Sequence, residues 1–222
     1  ESFSADVSHE LKNPLASLKN SNELLIDNKI DEDSKKLLLQ NMQRDIDRIN
    51  TLISDISSYT LTQVEIADEL FYDFDLISFL NDFIKSYSFN SKNIDIKLEC
   101  KSSESIIHAN KDKLAQVLIN LIDNSLSYSP KNSTILIHHK NLQNRTLLYI
   151  VDQGAGISFN LKEKIFERFY TDRPDNQNKH SGLGLSIAKK ILESFSGSIE
   201  LSVNEFKYYS GACFKITLPL KE

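Results

Sequence analysis

A histidine beside a glutamate, two asparagines one helical turn apart and two glycine-bearing loops are where this 222-residue chain could do chemistry. His9 and Glu10 lie in FSADVSHELKNPLASL, the start of an amphipathic stretch whose apolar stripe runs through Val7, Leu11, Leu18 and Leu25. At 100° per residue His9 falls about 200° from Val7 and Leu11, so it should face solvent. Asn13, four residues on, shares that face. Pro14 removes a backbone donor and should loosen the helix beyond it. A neutral imidazole is a nucleophile near pH 7, and a carboxylate beside it can orient it. Taken alone, an exposed His beside a Glu is more often an ordinary solvated face, and spacing by itself decides nothing here.

In the helix expected over 112–128, Leu114, Val117, Leu118, Leu121 and Ile122 form the core stripe, and Asn120 and Asn124 align beside it. Asparagine is a poor helix-interior residue, so two in register need a reason. Their amide oxygens are hard, neutral donors of the kind Mg²⁺ accepts alongside water and phosphate. Capping or bonding a neighbouring loop would explain them as well. Asp152-Gln-Gly154-Ala-Gly156 closes a strand, where a carboxylate can accept from a ligand amine and glycine permits close approach. Ser181-Gly182-Leu183-Gly184 opens a helix, a place that favours anions. It is neither a Walker A loop nor a GxGxxG dinucleotide motif.

Two segments must hold these groups. All six glycines lie after residue 153, and residues 1–66 hold 7 basic and 12 acidic side chains against 19 of each in 67–222. In the first segment Leu39, Met42, Ile46, Ile49, Ile53 and Ile56 recur at alternating spacings of 3 and 4, a coiled-coil seam. Asp31 or Asp33 should cap this second helix. Two such helices expose too much apolar seam to stand alone, so a second copy should complete a four-helix bundle. After a polar linker at 62–70, the rest reads as an α/β sandwich: a strand-like FYDFD, a helix at 75–88, strands at 94–100 and 105–109, and the helix 112–128. Strands at 134–140 and 146–154, a short helix at 161–170, a helix from 182 closed by Gly197, and strands at 198–204 and 212–220 follow. One mixed sheet covered by helices on one face is expected, giving an α+β chain overall.

Composition removes several alternatives. A net charge of −5 argues against a nucleic-acid binder. No apolar run approaches the roughly 18 residues of a membrane span. Two cysteines, Cys100 and Cys213, exclude a disulfide scaffold and a cysteine-rich zinc site; both should pack as buried small hydrophobes. His138 and His139 alternate across a strand and cannot share a metal, and His108 has no evident partner.

Taken in order, FSADVSHELKNPLASL, LAQVLINLIDNSLSYS, VDQGAGI, FERFY and SGLGLSIAKKI resemble the H, N, G1, F and G2 boxes of bacterial sensor histidine kinases. Each string is weak alone; five in order across almost the whole chain are specific. HSGLGLSI is also similar to the ChvG-like envelope sensor kinases. The resemblance implies a dimerisation and phosphotransfer hairpin over 1–66 and a Bergerat-type ATP-binding domain over 67–222. It implies that His9 accepts phosphate from ATP, that Glu10 orients or deprotonates it, and that Asn13 positions a water for dephosphorylating a partner. Asn124 and Asn120 would hold Mg²⁺, Tyr128 would pack on adenine, and Asp152 would accept its amine between Gly154, Gly156 and Ile157. Phe166 and Phe169 would hinge a lid over roughly 171–181, and Ser181, Gly182, Leu183 and Gly184 would meet the phosphates. Implied partners are a response regulator receiver domain and a second copy of the chain. The implied setting is the cytoplasmic catalytic part of a longer, membrane-anchored sensor.

The chain departs from the family pattern at His180, where a glycine is usual, and at Ser127 and Thr171, where basic residues are usual; Arg168 or Arg173 is the candidate substitute charge. These departures motivate an alternative, a non-catalytic or phosphatase-only signalling module. A gyrase- or MutL-like ATP-gated clamp is disfavoured by the exposed His9.

Overall fold

A computed structural model describes residues 3–26, 30–65, 71–88, 95–171 and 181–221. His180, Arg173 and most of the expected lid lie outside these residues. The chain divides into two compact units, one joining Glu1–Leu61 with Arg168–Gly184, the other joining Thr62–Glu167 with Leu185–Glu222.

The first unit contains two long helices, α1 (Phe3–Ile26) and α2 (Glu32–Glu65). Asp31 is the cap of α2: its carboxylate accepts from the Ser34 N–H at 2.8 Å and the Ser34 hydroxyl at 2.7 Å. The α1 helix continues through Pro14, which is buried. Because proline lacks an N–H, the Glu10 carbonyl loses its helical donor without the helix ending. Leu52 and Tyr59 are buried on α2, whereas Leu39, Ile46 and Ile53, at heptad spacing, are exposed, as are Leu15, Leu24 and Ile26 on α1. Along the expected seam Met42, Ile49 and Ile56 are half-buried and Leu39, Ile46 and Ile53 open, while the buried Leu52 and Tyr59 lie beside it.

The second unit is built on a five-stranded sheet in the order β2 (Asp95–Cys100), β4 (Thr134–Leu142), β5 (Arg145–Val151), β7 (Cys213–Pro219), β6 (Ser198–Leu201). Only β2–β4 is parallel. Strands β1 (Tyr72–Asp75) and β3 (Ile106–Ala109) pair separately, so the single sheet expected from sequence is two. Just past the end of β7 the Lys221 N–H reaches the Ile106 carbonyl of β3 at 2.8 Å. The helices are α3 (Leu76–Ser88), α4 (Lys111–Tyr128) and α5 (Gly184–Ser194). Asn110 caps α4 by accepting from the Asp112 and Lys113 N–H groups. Its stripe of Leu114, Val117, Leu118, Leu121 and Ile122 is fully buried, each side chain contributing about 1.5–3 kcal/mol.

Local geometry revises three further expectations. The stretch 161–170 is no α-helix: two 3₁₀ turns, Phe159–Leu161 and Lys164–Phe166, stand there without side-chain caps, and Phe169 breaks the path at φ 60°. At the end of α5 it is Ser196, not Gly197, that turns left-handed at φ 55°. Gly197 takes the next place, its N–H reaching the Leu192 carbonyl at 2.8 Å. A Cβ there would meet Leu218 Cδ2 and the Thr217 carbonyl at 2.7 Å. Cys213 is buried as expected, but Cys100 is exposed at the end of its strand.

Candidate functional site

On α1 the His9 side chain is 75% exposed, on the same open face as Asn13. Its Nδ1 faces Glu10 Oε1 at 3.8 Å. Glu10 is held in turn by Arg48 from α2, whose Nη2 lies 3.3 Å from Oε2. Nothing in the spacing along α1 signals Arg48; the hairpin brings it there. Of the two ring nitrogens it is Nδ1 that is turned toward Glu10.

Also within the first unit, the residues after the 3₁₀ turns join those before α5. Phe169 donates its N–H to the Gly182 carbonyl at 3.1 Å, and Gly182 has φ 77°. A Cβ on Gly182 would sit 2.6 Å from the Phe169 carbonyl carbon and 2.7 Å from the Tyr170 carbonyl, so only glycine fits. Ser181 donates to the Asp55 carboxylate and accepts the Leu183 N–H at 3.1 Å, while Leu183 is fully buried. Arg168 pairs with Asp6 at 3.2 Å and lies over the Phe3 ring, so its charge is engaged here.

In the second unit, three segments converge on Asp152. Its carboxylate is 3% exposed, and Oδ1 accepts the Gly154 N–H at 2.8 Å and the Ala212 N–H at 3.0 Å. Burial raises its pKa; the two amides and the nearby Ser125 hydroxyl act the other way without overcoming it. Ser125 Oγ biases the carboxylate by proximity and makes no well-formed hydrogen bond of its own. The Asp152 backbone is bracketed by Gly211 N–H at 3.0 Å and the Ala212 carbonyl at 3.1 Å. Gly154 presses on the α4 C-terminus, where a Cβ would meet the Tyr128 carbonyl at 2.8 Å, and Gly156 turns at φ 77° beside Ser210. Tyr128 itself is exposed, and Ile157 is half-buried.

Asn120 and Asn124 are half-buried on α4, as spacing suggested. Ser127 turns back to the Asn124 carbonyl at 3.0 Å. Among the described residues no group of three or more acidic, histidine or cysteine side chains could hold a metal. A pair of neutral amide oxygens suits a cation that brings waters and phosphate oxygens as its remaining ligands. Phe166 is buried against Phe214, ring centroids 6.4 Å apart, with Lys189 over it at 5.9 Å.

The other described histidines sit among structural partners. His108, expected to have none, lies with Nδ1 2.6 Å from Asp73 Oδ1 across the β1–β3 pair. His139 is fully buried with Nε2 between the Ser105 and Thr146 hydroxyls, and His138 faces the other side near Glu99. Gly211, Ala212, Ser125 and Arg48 are the site groups that sequence reasoning missed. Gly211 was legible only as one more late glycine, because its partner is in another strand.

Residues 109–222 match the Histidine kinase-, DNA gyrase B-, and HSP90-like ATPase family, and the chain belongs to that family. Residues 1–61 match the His Kinase A (phospho-acceptor) domain, so the pairing of domains is that of a sensor histidine kinase. Over its whole length the chain is 37% identical to Sensor protein ChvG of Agrobacterium fabrum, of which it covers 39%; it is 36% identical to Sensor protein ChvG of Rhizobium meliloti over 99% of the chain and 40% of that protein. The chain thus spans about two-fifths of these curated relatives. Among solved structures, Acinetobacter baumannii histidine kinase AdeS aligns over 96% of this chain and 98% of its own, with a TM-score of 0.63 and 24% identity. Histidine kinase ThkA, solved in complex with response regulator protein TrrA, aligns over 99% of this chain and 61% of its own, with a TM-score of 0.71 and 24% identity. At that identity the likeness is one of fold.

Proposed function

We propose that the chain transfers the γ-phosphoryl group of ATP to His9 and passes it to an aspartate on a response regulator receiver domain. The observation that carries this reading is an exposed His9 whose Nδ1 is turned to Glu10 within a phospho-acceptor hairpin. Its Nε2 attacks the γ-phosphorus, the bond to the β,γ-bridging oxygen breaks, and ADP leaves with that electron pair. Glu10, steadied by Arg48, holds the Nδ1 proton while positive charge develops on the ring.

The 1–66 hairpin is the dimerisation and phosphotransfer domain, and 67–222 the ATP-binding domain. Asp152 accepts the adenine amine, with Gly154, Gly156 and Ile157 around the base and Tyr128 against it. Asn124 and Asn120 hold Mg²⁺, which neutralises phosphate charge when bound. Phe166 and Phe169 are the hinge residues of this reading, and Gly182 and Gly184, beside Ser181 and Leu183 at the α5 start, offer backbone N–H groups to phosphate oxygens. Asn13 positions a water for removing phosphate from the regulator. The open seam of Leu39, Ile46 and Ile53 supports a second copy completing a four-helix bundle. No described helix is long and apolar enough to cross a membrane; a cytoplasmic location and a membrane anchor in other segments are part of this proposal.

The test is incubation with γ-³²P-labelled ATP and Mg²⁺. Acid-labile, base-stable label should form, disappear in His9→Gln and persist in His108→Gln. Acid-stable label, or label that survives His9→Gln, would refute the reading.

A further inference from the structure

Resting on the reading of Asp152 as the group that accepts from adenine, we propose that Asn204 is a positioning residue for that pocket. Asn204 lies on the loop 202–211 between β6 and β7, on no box of the family pattern. Its Nδ2 donates to the carbonyls of Tyr209 at 2.7 Å and Gly211 at 3.2 Å, and its Oδ1 accepts the Phe206 N–H at 3.0 Å. The loop is thereby folded onto itself by one side chain. The end that Asn204 holds is the end that clamps the carboxylate: Gly211 and Ala212 bond the Asp152 backbone on both sides, and Ala212 N–H fixes Oδ1.

Two other contacts keep the loop in register. Gln153, next to Asp152, donates from Nε2 to the Tyr208 carbonyl at 2.9 Å and accepts the Thr134 N–H at 2.7 Å. The Phe206 ring lies 5.1 Å from His138 and 5.6 Å from Tyr149, over a buried patch of Leu136, Val151 and Cys213. A buried carboxylate with one oxygen pinned by two amides presents the other in a defined direction, and direction decides whether a ligand amine is met at hydrogen-bonding distance. Removing the Asn204 donors frees the Gly211 end, and the Asp152 aim loosens with it.

A hydrogen bond to the six-position amine separates this role from general support of the fold. ATP carries that amine; inosine triphosphate carries a keto oxygen, which a carboxylate repels. Affinities of the 222-residue chain for both, with Mg²⁺ present, should show a preference for ATP. In Asn204→Ala the affinity for ATP should fall about tenfold while that for inosine triphosphate changes less than about twofold. KM for ATP in the labelling reaction should rise by a similar factor with kcat retained. Asn204→Asp, isosteric and able to keep the Phe206 bond but not the two donors, should behave like the alanine variant. Unchanged selectivity in either folded variant, or an equal loss for both nucleotides, would overturn the proposal. A wild-type chain that prefers neither nucleotide would instead remove the adenine reading, and this role with it.

Discussion

A Cβ built on Gly211 would lie 1.8 Å from the Oδ1 of Asp152. It would also stand 2.5 Å from the Gly154 N, inside the hydrogen bond that holds the carboxylate. Glycine is required there by lack of space, since its φ is not in the left-handed region.

Gly211→Ala is therefore expected to displace the Asp152 carboxylate. Nucleotide affinity should drop by at least about a hundredfold, and overpacking of this kind should cost about 1–3 kcal/mol of stability. Calorimetric titration with ATP and thermal melting would check the two effects separately.

Arg48 and Glu10 are each about a quarter exposed, and their single 3.3 Å contact adds at most about 1 kcal/mol to the fold. Its role is orientation of the group beside His9. Arg48→Met should leave the melting temperature within a few degrees while slowing autophosphorylation about tenfold, with KM for ATP unchanged. Initial rates of label incorporation would show this, and Arg48→Lys should recover only part of the rate.

Covered and open apolar positions of α2 should respond differently. Leu52→Ala empties a buried site and is expected to destabilise by about 2–5 kcal/mol in urea melts. Ile46→Asp lies at an open position, so the chain should fail to pair while the second unit keeps its own melting transition. Light scattering should then give half the wild-type mass; an unchanged mass would place the second copy elsewhere.

Burial raises the Asp152 pKa above its unfolded value. Between the ordinary carboxylate range near 3.8 and the raised native value, the native state binds more protons than the unfolded one. Stability contributed by this group is thus fully present at low pH and is lost as pH rises through that window. Asp152→Asn, which keeps an acceptor for the two amides, should melt higher than wild type at neutral pH and show less fall in stability across the window. It should also lose ATP affinity, because an amide nitrogen cannot accept from adenine. Melting curves from pH 3 upward would test the sign.

Much of the arrangement was legible in residue order. Apolar period alone placed the hairpin and the core stripe of α4, and the angle between His9 and its stripe predicted the exposure observed. Misreadings share a cause. The stretch 161–170 has helical composition, but no side chain caps either 3₁₀ turn and Phe169 turns back to bond Gly182. Ser196 takes the left-handed φ, while Gly197 is needed at the next place because a side chain there would collide with Leu218.

Spacing along the chain determined which groups share a helix face, since 3.6-residue geometry makes positions three and four apart neighbours wherever the helix forms. It thereby placed His9 with Asn13 and Asn120 with Asn124. Tertiary structure decided what constrains those groups: Arg48 on Glu10, Ala212 on Asp152, and Asn204 on the turn that delivers Ala212. The first two contacts join separate elements and the third folds an irregular loop on itself; their formation depends on packing and exclusion of volume, for which no local period exists.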